Sequence, residues 1–410
     1  MAARDAYETV PYDDRPVAET HPDRLFAAAR GAGLAAIDPT SARVLELGCA
    51  HAVNLMPIAA ALPSARIVGI DRSARQIALA QKRTREATLA NLELRCADVM
   101  DLELGEQRFD YVIAHGLISW VPDSVRDRVL QLAHDALGPS GVVYLSYNTM
   151  PAWGVRGAVR RALLELVGET SDERVQIERA RAGLAWLAEL RPFVGTAEDA
   201  VLHEELASLH DKPDMYLLHE YLVPSSRAYW VRELIELATA AGLRWLAELS
   251  PTGLDAETQT QTVAELRSRV RDPIAVEQLL DVVVNRQLHA SLFCRDDATL
   301  ADAPLPALPR TLPIPPAIPE RPRVHAVTRL EARQLGFVTT LHHELAPIDP
   351  FHAAVIDKLD GTRTHVELVT ALRADLRAGR LSATADVDDA LPHLLTSALA
   401  RLHGAPVLIE

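Results

Sequence analysis

The sequence predicts an α/β protein built on a doubly wound, mostly parallel sheet, and three observations carry that prediction. Short apolar runs of strand length recur at residues 44–47, 67–70, 92–96, 109–114 and 142–147. The segments between them space their apolar residues as helices do. Glu46, Asp71, Asp98, His115 and Asn148 stand at or beside the C-terminal ends of those runs, where ligands bind in open α/β sheets.

The first run, VLELGCAHAVNL at 44–55, sets the ligand class. Val44, Leu45 and Leu47 form a strand that stops at Gly48, and the chain then turns into a helical run at 54–61. The second strand ends on Asp71, 23 positions beyond Gly48 (71 − 48). An acid at that spacing can accept both hydroxyls of an adenosine ribose, so the ligand expected is a nucleoside. A pyrophosphate would need a second glycine for close backbone approach, and this turn reads Gly48-Cys49-Ala50-His51-Ala52, so NAD and FAD fit poorly. S-adenosylmethionine has no phosphate and tolerates Ala50 and Ala52. Glu46 suits its cationic sulfonium and ammonium groups.

After Asp71, residues 74–90 have helical spacing and 92–96 alternates as a third strand ahead of Asp98. Asp98 is expected to accept from the adenine exocyclic amine, with a helix N-cap as the bland alternative. The fourth strand, FDYVIA at 109–114, delivers His115, Ser119 and Trp120 toward the methionine end and the methyl group. His115 reads as a wall that shapes this pocket, with a general base as the other reading. A helix over 124–137 should end in the turn signature Gly138-Pro139-Ser140-Gly141. The fifth strand, 142–147, then presents Tyr147, Asn148 and Trp153 where an acceptor would meet the donor; these three and His115 are the catalytic candidates. The donor-lining set is Glu46, Gly48, Ala50, Asn54, Asp71, Arg72, Asp98, Val99, His115 and Trp120.

Ahead of the sheet, Tyr7, Pro11, Tyr12 and THPDR at 20–24 read equally as a lid or as a strap, followed by a helix over 25–32. Residues 155–194 turn helical and charged. Residues 231–241 form a helix closed by Gly242, 243–249 one more strand, 263–286 one or two helices, and 285–295 a strand or helix. Eight prolines fall within 304–322, an extended stretch that at ~3.1 Å per residue could reach roughly 60 Å. Three helical patterns follow at 351–359, 364–377 and 387–403, the second opened by a Thr364-x-x-Glu367 capping box, with a β-like run at 405–409. The expected organisation is a strap plus donor-binding domain at 1–154, a mainly helical domain at 155–303, a linker at 304–322 and a winged-helix-like module at 323–410.

Composition narrows the partners. A formal charge of −14 and a pI near 5.5 argue against general nucleic-acid binding. Asp375, Asp386, Asp388 and Asp389 offset the arginines of the C-terminal module, so protein contact or dimerisation is its expected role rather than DNA binding. Cys49, Cys96 and Cys294 lie far apart, which indicates neither a disulfide framework nor a zinc site. Without a signal-like N-terminus or a run of about 18 apolar residues, a soluble, cytoplasmic chain off the membrane is expected.

These motifs converge on a family. Through ELGCAH at 46–51, GID at 69–71, CAD at 96–98 and FDYVIAHGLISWVP at 109–122, the chain resembles class I S-adenosylmethionine-dependent methyltransferases. YETVPY at 7–12, THPDRL at 20–25, SYNTMPAW at 146–153, YLLHEYL at 216–222 and LDGTR at 359–363 make it similar to the bacterial group that carries a methyltransferase regulatory domain, to which the Rickettsia outer-membrane-protein lysine methyltransferases belong. The resemblance implies a Rossmann-like catalytic domain, a helical regulatory domain and a winged-helix-like C-terminal domain. It also implies S-adenosylmethionine as cofactor and a protein or peptide as partner. Two departures stand out: Ala50 occupies a position where such loops more often have glycine, and no Asn/Asp-Pro-Pro-Tyr motif follows the fourth strand, which disfavours nucleobase or glutamine-amide methylation. Three acceptor readings stay open: a lysine amine; a peptide carboxylate, with Asn148, Arg156, Arg160 and Arg161 as anchors, or a small metabolite; and a non-catalytic donor-binding regulator.

Overall fold

The computed structural model describes residues 15–190, 195–307, 310–381 and 387–409. Tyr7, Pro11, Tyr12 and Asp386 lie outside them. α1 (Pro22–Gly31) starts at His21, whose imidazole Nδ1 accepts the Asp23 N–H and caps the helix. β1 (Arg43–Leu47) is followed by α2 (Leu55–Ala61), β2 (Arg66–Asp71), α3 (Ala74–Glu86) and β3 (Leu92–Cys96). These strands pair in parallel, Leu47 beside Ile70 and Asp71 beside Cys96. Val44, Leu45, Leu47, Ile67 and Ile70 are all buried, as expected of parallel strands with a helical layer on each face.

β4 (Phe109–Ala114) is buried along its whole length, and α4 (Asp123–Ala136) leads into β5 (Leu137–Asn148). The glycine-proline sequence at 138–141, expected to be a turn, lies inside β5. Leu137 and Gly138 are buried, so packing of the extended chain overrides the local turn preference. Then come α5 (Trp153–Val167), α6 (Glu173–Leu190), α7 (Ala197–His210), α8 (Asp214–Leu217), which continues into a wider turn over Leu218–Leu222, and α9 (Val231–Ala240). β6 (Leu243–Glu248), α10 (Ala256–Arg269), α11 (Pro273–Val284) and β7 (Leu288–Arg295) complete this part. The sheet has the order β3-β2-β1-β4-β5-β7-β6. β7 runs antiparallel to both β5 and β6, and sets His289 beside Tyr147 and Leu288 beside Asn148.

The chain divides into two compact units. One comprises Ala97–Arg108 and Val112–Leu300; within it α5, α6, α7 and the turn after α8 share a core of Val159, Leu163, Ala180, Leu184, Leu209, Leu217 and Tyr221. The other comprises Asp14–Cys96, Phe109–Tyr111 and Ala301–Glu410. Here the proline-rich stretch is pinned along the N-terminal region: Leu305 N–H donates to Arg30 O at 2.8 Å and the Arg310 guanidinium reaches Asp23 at 3.1 Å and Ala61 O at 3.2 Å.

The C-terminal module holds α12 (Ala326–Gln334), a hairpin of β8 (Phe337–Thr339) and β9 (Leu345–Pro347), α13 (Pro350–Asp357), α14 (His365–Arg377) and α15 (Val387–Gly404). Thr364 and Glu367 form the expected capping box. α12 and the hairpin were not expected. α12 buries polar Thr328 and Glu331 on its inner face, which blurs the apolar period, and three-residue strands are too short to alternate visibly. Glu331 joins the two elements by accepting from Thr339 N at 2.8 Å and Oγ1 at 2.7 Å. The terminal run forms a single bridge, Ile409 to Arg323, rather than a strand. No helix among the described residues is long and apolar enough to cross a membrane.

Gly69 marks the tightest point of the parallel half. A Cβ there would stand 2.7 Å from Leu55 Cδ1, 2.8 Å from Leu94 Cδ2 and 2.9 Å from Cys49 Sγ. Gly69→Ala is therefore expected to destabilise the fold by about 1–3 kcal/mol, read as a lower urea midpoint.

Candidate active site

The loop after β1 is shaped by left-handed backbone. Gly48 has φ +80°, Ala50 +47° and Ala52 +56°, and non-glycine residues adopt this region at a cost of about 1–2 kcal/mol. The Gly48 and Cys49 N–H groups both donate to Ile70 O, at 2.8 and 3.0 Å. Asp71 closes the arrangement: Oδ2 accepts from Ala50 N at 2.9 Å and Oδ1 from Ser73 N at 2.8 Å. One carboxylate thus joins the loops that follow β1 and β2.

Glu46 is 4% exposed, and its Oε1 accepts from Asn54 Nδ2 at 2.9 Å. Asn54 Oδ1 in turn accepts the Val17 N–H at 3.0 Å and contacts His343 Nε2 at 2.9 Å. His21 and His343 have ring centroids 5.2 Å apart. Burial first, then the positive Arg310 and Arg24, lowers His21 to about 3, so its ring is neutral at physiological pH. Because Nδ1 accepts from Asp23 N, the ring proton sits on Nε2, which finds no partner among the described residues. The Arg72 side chain is exposed, and its carbonyl accepts from the Cys96 thiol at 3.6 Å.

In the other unit, Asp98 is exposed and caps its own turn, Oδ1 accepting from Met100 N at 2.9 Å. Val99 O accepts from Arg128 Nε at 3.3 Å. His115 Nδ1 lies 3.1 Å from Tyr144 OH, and burial lowers the imidazole to about 4. A ring held neutral that firmly stores a proton poorly. Trp120 and Trp153 meet edge to face at 5.7 Å. The Trp153 indole donates to Gln287 O at 3.0 Å, and the Arg156 guanidinium lies 5.3 Å from the centre of its ring.

Asn148 is held through its backbone, N–H donating to Ser119 Oγ at 2.8 Å and O accepting from Tyr229 N at 2.9 Å. Its side-chain Nδ2 is buried with no partner among the described residues. The other arginines considered as carboxylate anchors are engaged: Arg160 donates to the carbonyls of Val223 and Pro224, and Arg161 pairs with Glu165 at 2.6 Å on the surface.

Tyr147 sits in a different setting. Its hydroxyl meets Ser291 Oγ at 3.0 Å and its ring stacks on His289 at 5.2 Å. Burial, and then the charge of Glu248, pushes the phenol well above its ordinary range, which opposes proton acceptance. The surrounding ionic cluster escaped sequence reading, because Glu248, Asp281, Arg286 and His289 are scattered and only a histidine within an apolar run hinted at it. His289 lies 2.9 Å from both Glu248 Oε2 and Asp281 Oδ2, and Arg286 reaches Asp281 and Glu277, each at 3.1 Å. Burial alone would lower His289, but the charge of Glu248 and the hydrogen bonds its ring donates to both acids outweigh it and hold the ring at about 9.

Residues 44–141 match the methyltransferase domain family, 213–295 the predicted methyltransferase regulatory domain, and 320–404 the C-terminal winged helix domain of PKMT proteins. In these segments the chain is similar to methyltransferases that carry a regulatory domain. It is 32% identical over 297 residues to an uncharacterised protein of Rickettsia prowazekii, covering 72% of this chain and 54% of that one. It thus spans about half the length of that curated relative. Over 105 residues it is 30% identical to trans-aconitate 2-methyltransferase of Variovorax paradoxus, covering 26% of this chain and 38% of that one. In fold it is similar to PKMT2 from Rickettsia typhi, with a TM-score of 0.84 at 19% identity over 97% of this chain and 100% of that one. PKMT2 has also been solved in complex with AdoHcy.

The His289 cluster yields a pH dependence. Its folded-state value lies above the ordinary 6.5, so its stabilisation is complete below pH 6.5 and is lost as pH rises through about 9. Unfolding free energy should fall by on the order of 1–3 kcal/mol between pH 7 and 10. Urea titrations across that range should show the fall, and His289→Gln should flatten it.

Proposed function

We propose that this methyltransferase holds S-adenosylmethionine on Glu46, Asp71 and the left-handed loop between them, and methylates a lysine side-chain amine of a protein. The donor-side residues suit the group. Asp71 offers acceptors for a ribose diol, while the buried Glu46 carboxylate and the unpartnered Nε2–H of His21 suit the ammonium and carboxylate of an amino-acid end. S-adenosylmethionine, when bound, supplies an electrophilic methyl on a sulfonium.

The observation that supports the lysine reading is the aromatic setting of the acceptor candidates. Trp120 packs on Trp153, whose ring already carries one cation, the Arg156 guanidinium; His115 is held neutral, and Arg160 and Arg161 are engaged elsewhere. An ammonium can be accommodated against aromatic rings, and apolar surroundings lower its pKa so that the neutral amine becomes accessible. Attack by that amine forms an N–C bond as the S–C bond breaks; the sulfonium becomes a thioether and the surplus proton leaves to water. The residues at this end act by holding the amine at attack distance. A second reading, esterification of a peptide carboxylate, is favoured by one observation: the unpartnered Asn148 Nδ2 is a donor that a carboxylate oxygen would accept.

The two readings part in one assay. With donor labelled on the methyl, label should enter lysine-containing but not lysine-free peptide and should survive alkali; alkali-labile label would establish the ester instead, and no transfer to any acceptor would leave a donor-binding regulator. Asn148→Ala should reduce transfer by about 10²-fold with donor affinity unchanged in calorimetry.

A further inference from the structure

The tip of the C-terminal hairpin reaches Asn54, the amide that bonds to the acid assigned to the donor. Between β8 and β9 the chain turns through Thr340–Glu344, with Thr340 N–H donating to Glu344 O and His343 N–H to Thr340 O, both at 2.9 Å. His343 is left-handed, φ +62°, and only 2% exposed. A histidine held in that conformation and buried is strained unless its surroundings require it. What it meets is Asn54, Nε2 to Oδ1 at 2.9 Å, across 289 positions of sequence.

The hydrogen-bond roles along this line follow from one fixed donor. Val17 N–H can only donate, and it points to Asn54 Oδ1 at 3.0 Å, so that atom is the amide carbonyl. The contacting His343 Nε2 therefore carries the ring proton and donates. Asn54 Nδ2 then faces the other way, giving its N–H groups to Glu46 Oε1 and Thr20 Oγ1, both at 2.9 Å. Reversing the amide would set its NH2 group against the Val17 N–H and its carbonyl oxygen against the Glu46 carboxylate. His343 thus reinforces, with a second donor on the same oxygen, the amide orientation that delivers an N–H to Glu46. Burial, reinforced by the neighbouring His21, lowers its basicity and leaves it the neutral donor this line needs.

We propose that His343 is a positioning residue for the methyl donor: through Asn54 it fixes the Glu46 carboxylate, so that the winged-helix module completes the donor site. This rests on the assignment of Glu46 to the donor's ammonium. It gives the C-terminal module a role in the reaction besides contact with other proteins. Thermodynamic linkage makes the effect reciprocal, since a ligand that needs Glu46 in this orientation also favours the docked hairpin.

Calorimetry with S-adenosylhomocysteine and S-adenosylmethionine on full-length protein tests it, alongside steady-state kinetics. His343→Ala should weaken donor affinity about tenfold or more and raise the donor KM in step, with kcat at saturating donor changed less than threefold. His343→Gln, which can place an N–H near the position of Nε2, should recover most of the affinity, and His343→Leu, of similar bulk without the donor, should not. Circular dichroism and the melting temperature establish that each variant is folded. Unchanged donor affinity in folded His343→Ala overturns the proposal, as does equal weakening in the Gln and Leu variants, which would mark packing alone. Failure of the unsubstituted protein to bind either compound would instead overturn the underlying assignment of the donor site.

Discussion

The Asp71 carboxylate is the constraint on which the loops after β1 and β2 depend. Two parallel strands end side by side, and the loops leaving them would diverge without a group that bonds to both. Asp71 does so with its two oxygens, one on Ala50 N and one on Ser73 N. That clamp also accounts for the backbone of Ala50 and Ala52, which lie in a region costly to L-residues. Such strain persists where the surroundings over-determine it, and here the Gly48 and Cys49 bonds to Ile70 and the Asp71 bond to Ala50 together leave the loop little alternative.

The segment that carries the acceptor candidates is held differently. Asn148, Thr149 and Met150 exchange backbone and hydroxyl hydrogen bonds with Tyr229 and Ser119, and Thr149 N–H and the Trp153 indole both end on Gln287 O. The segment SYNTMPAW is therefore framed by residues far along the chain. Beneath it, His289 and its two acids brace β7 against β6 and α11, with Tyr147 of β5 stacked on the histidine ring. Tyr147 belongs to this brace, and its hydroxyl is committed to Ser291.

The sheet was legible because its strands are buried on both faces and so read as continuous apolar runs, as at Val44 to Leu47 and Phe109 to Ala114. The acids at strand ends were legible for the same reason, since a charged residue at the end of an apolar run stands out. Local signals failed where tertiary packing opposed them: Gly138 and Pro139 have the chemistry of a turn, yet the chain stays extended through them. Buried Thr328 and Glu331 hid the helix after the proline-rich stretch. The contact between Asn54 and His343 left no trace in sequence, because the two residues stand 289 positions apart.

The proline-rich stretch acts as more than a spacer. Pinned at Leu305 to the end of α1 and at Arg310 to Asp23 and Ala61, and held again at Pro315 O by His403 and at Pro319 O by His365, it leaves only the few residues between Arg310 and Pro315 as the tether of the C-terminal module. A shorter, stiffer tether raises the effective concentration of its cargo at a nearby surface. The proline-rich stretch thus works as a leash on the module that carries His343.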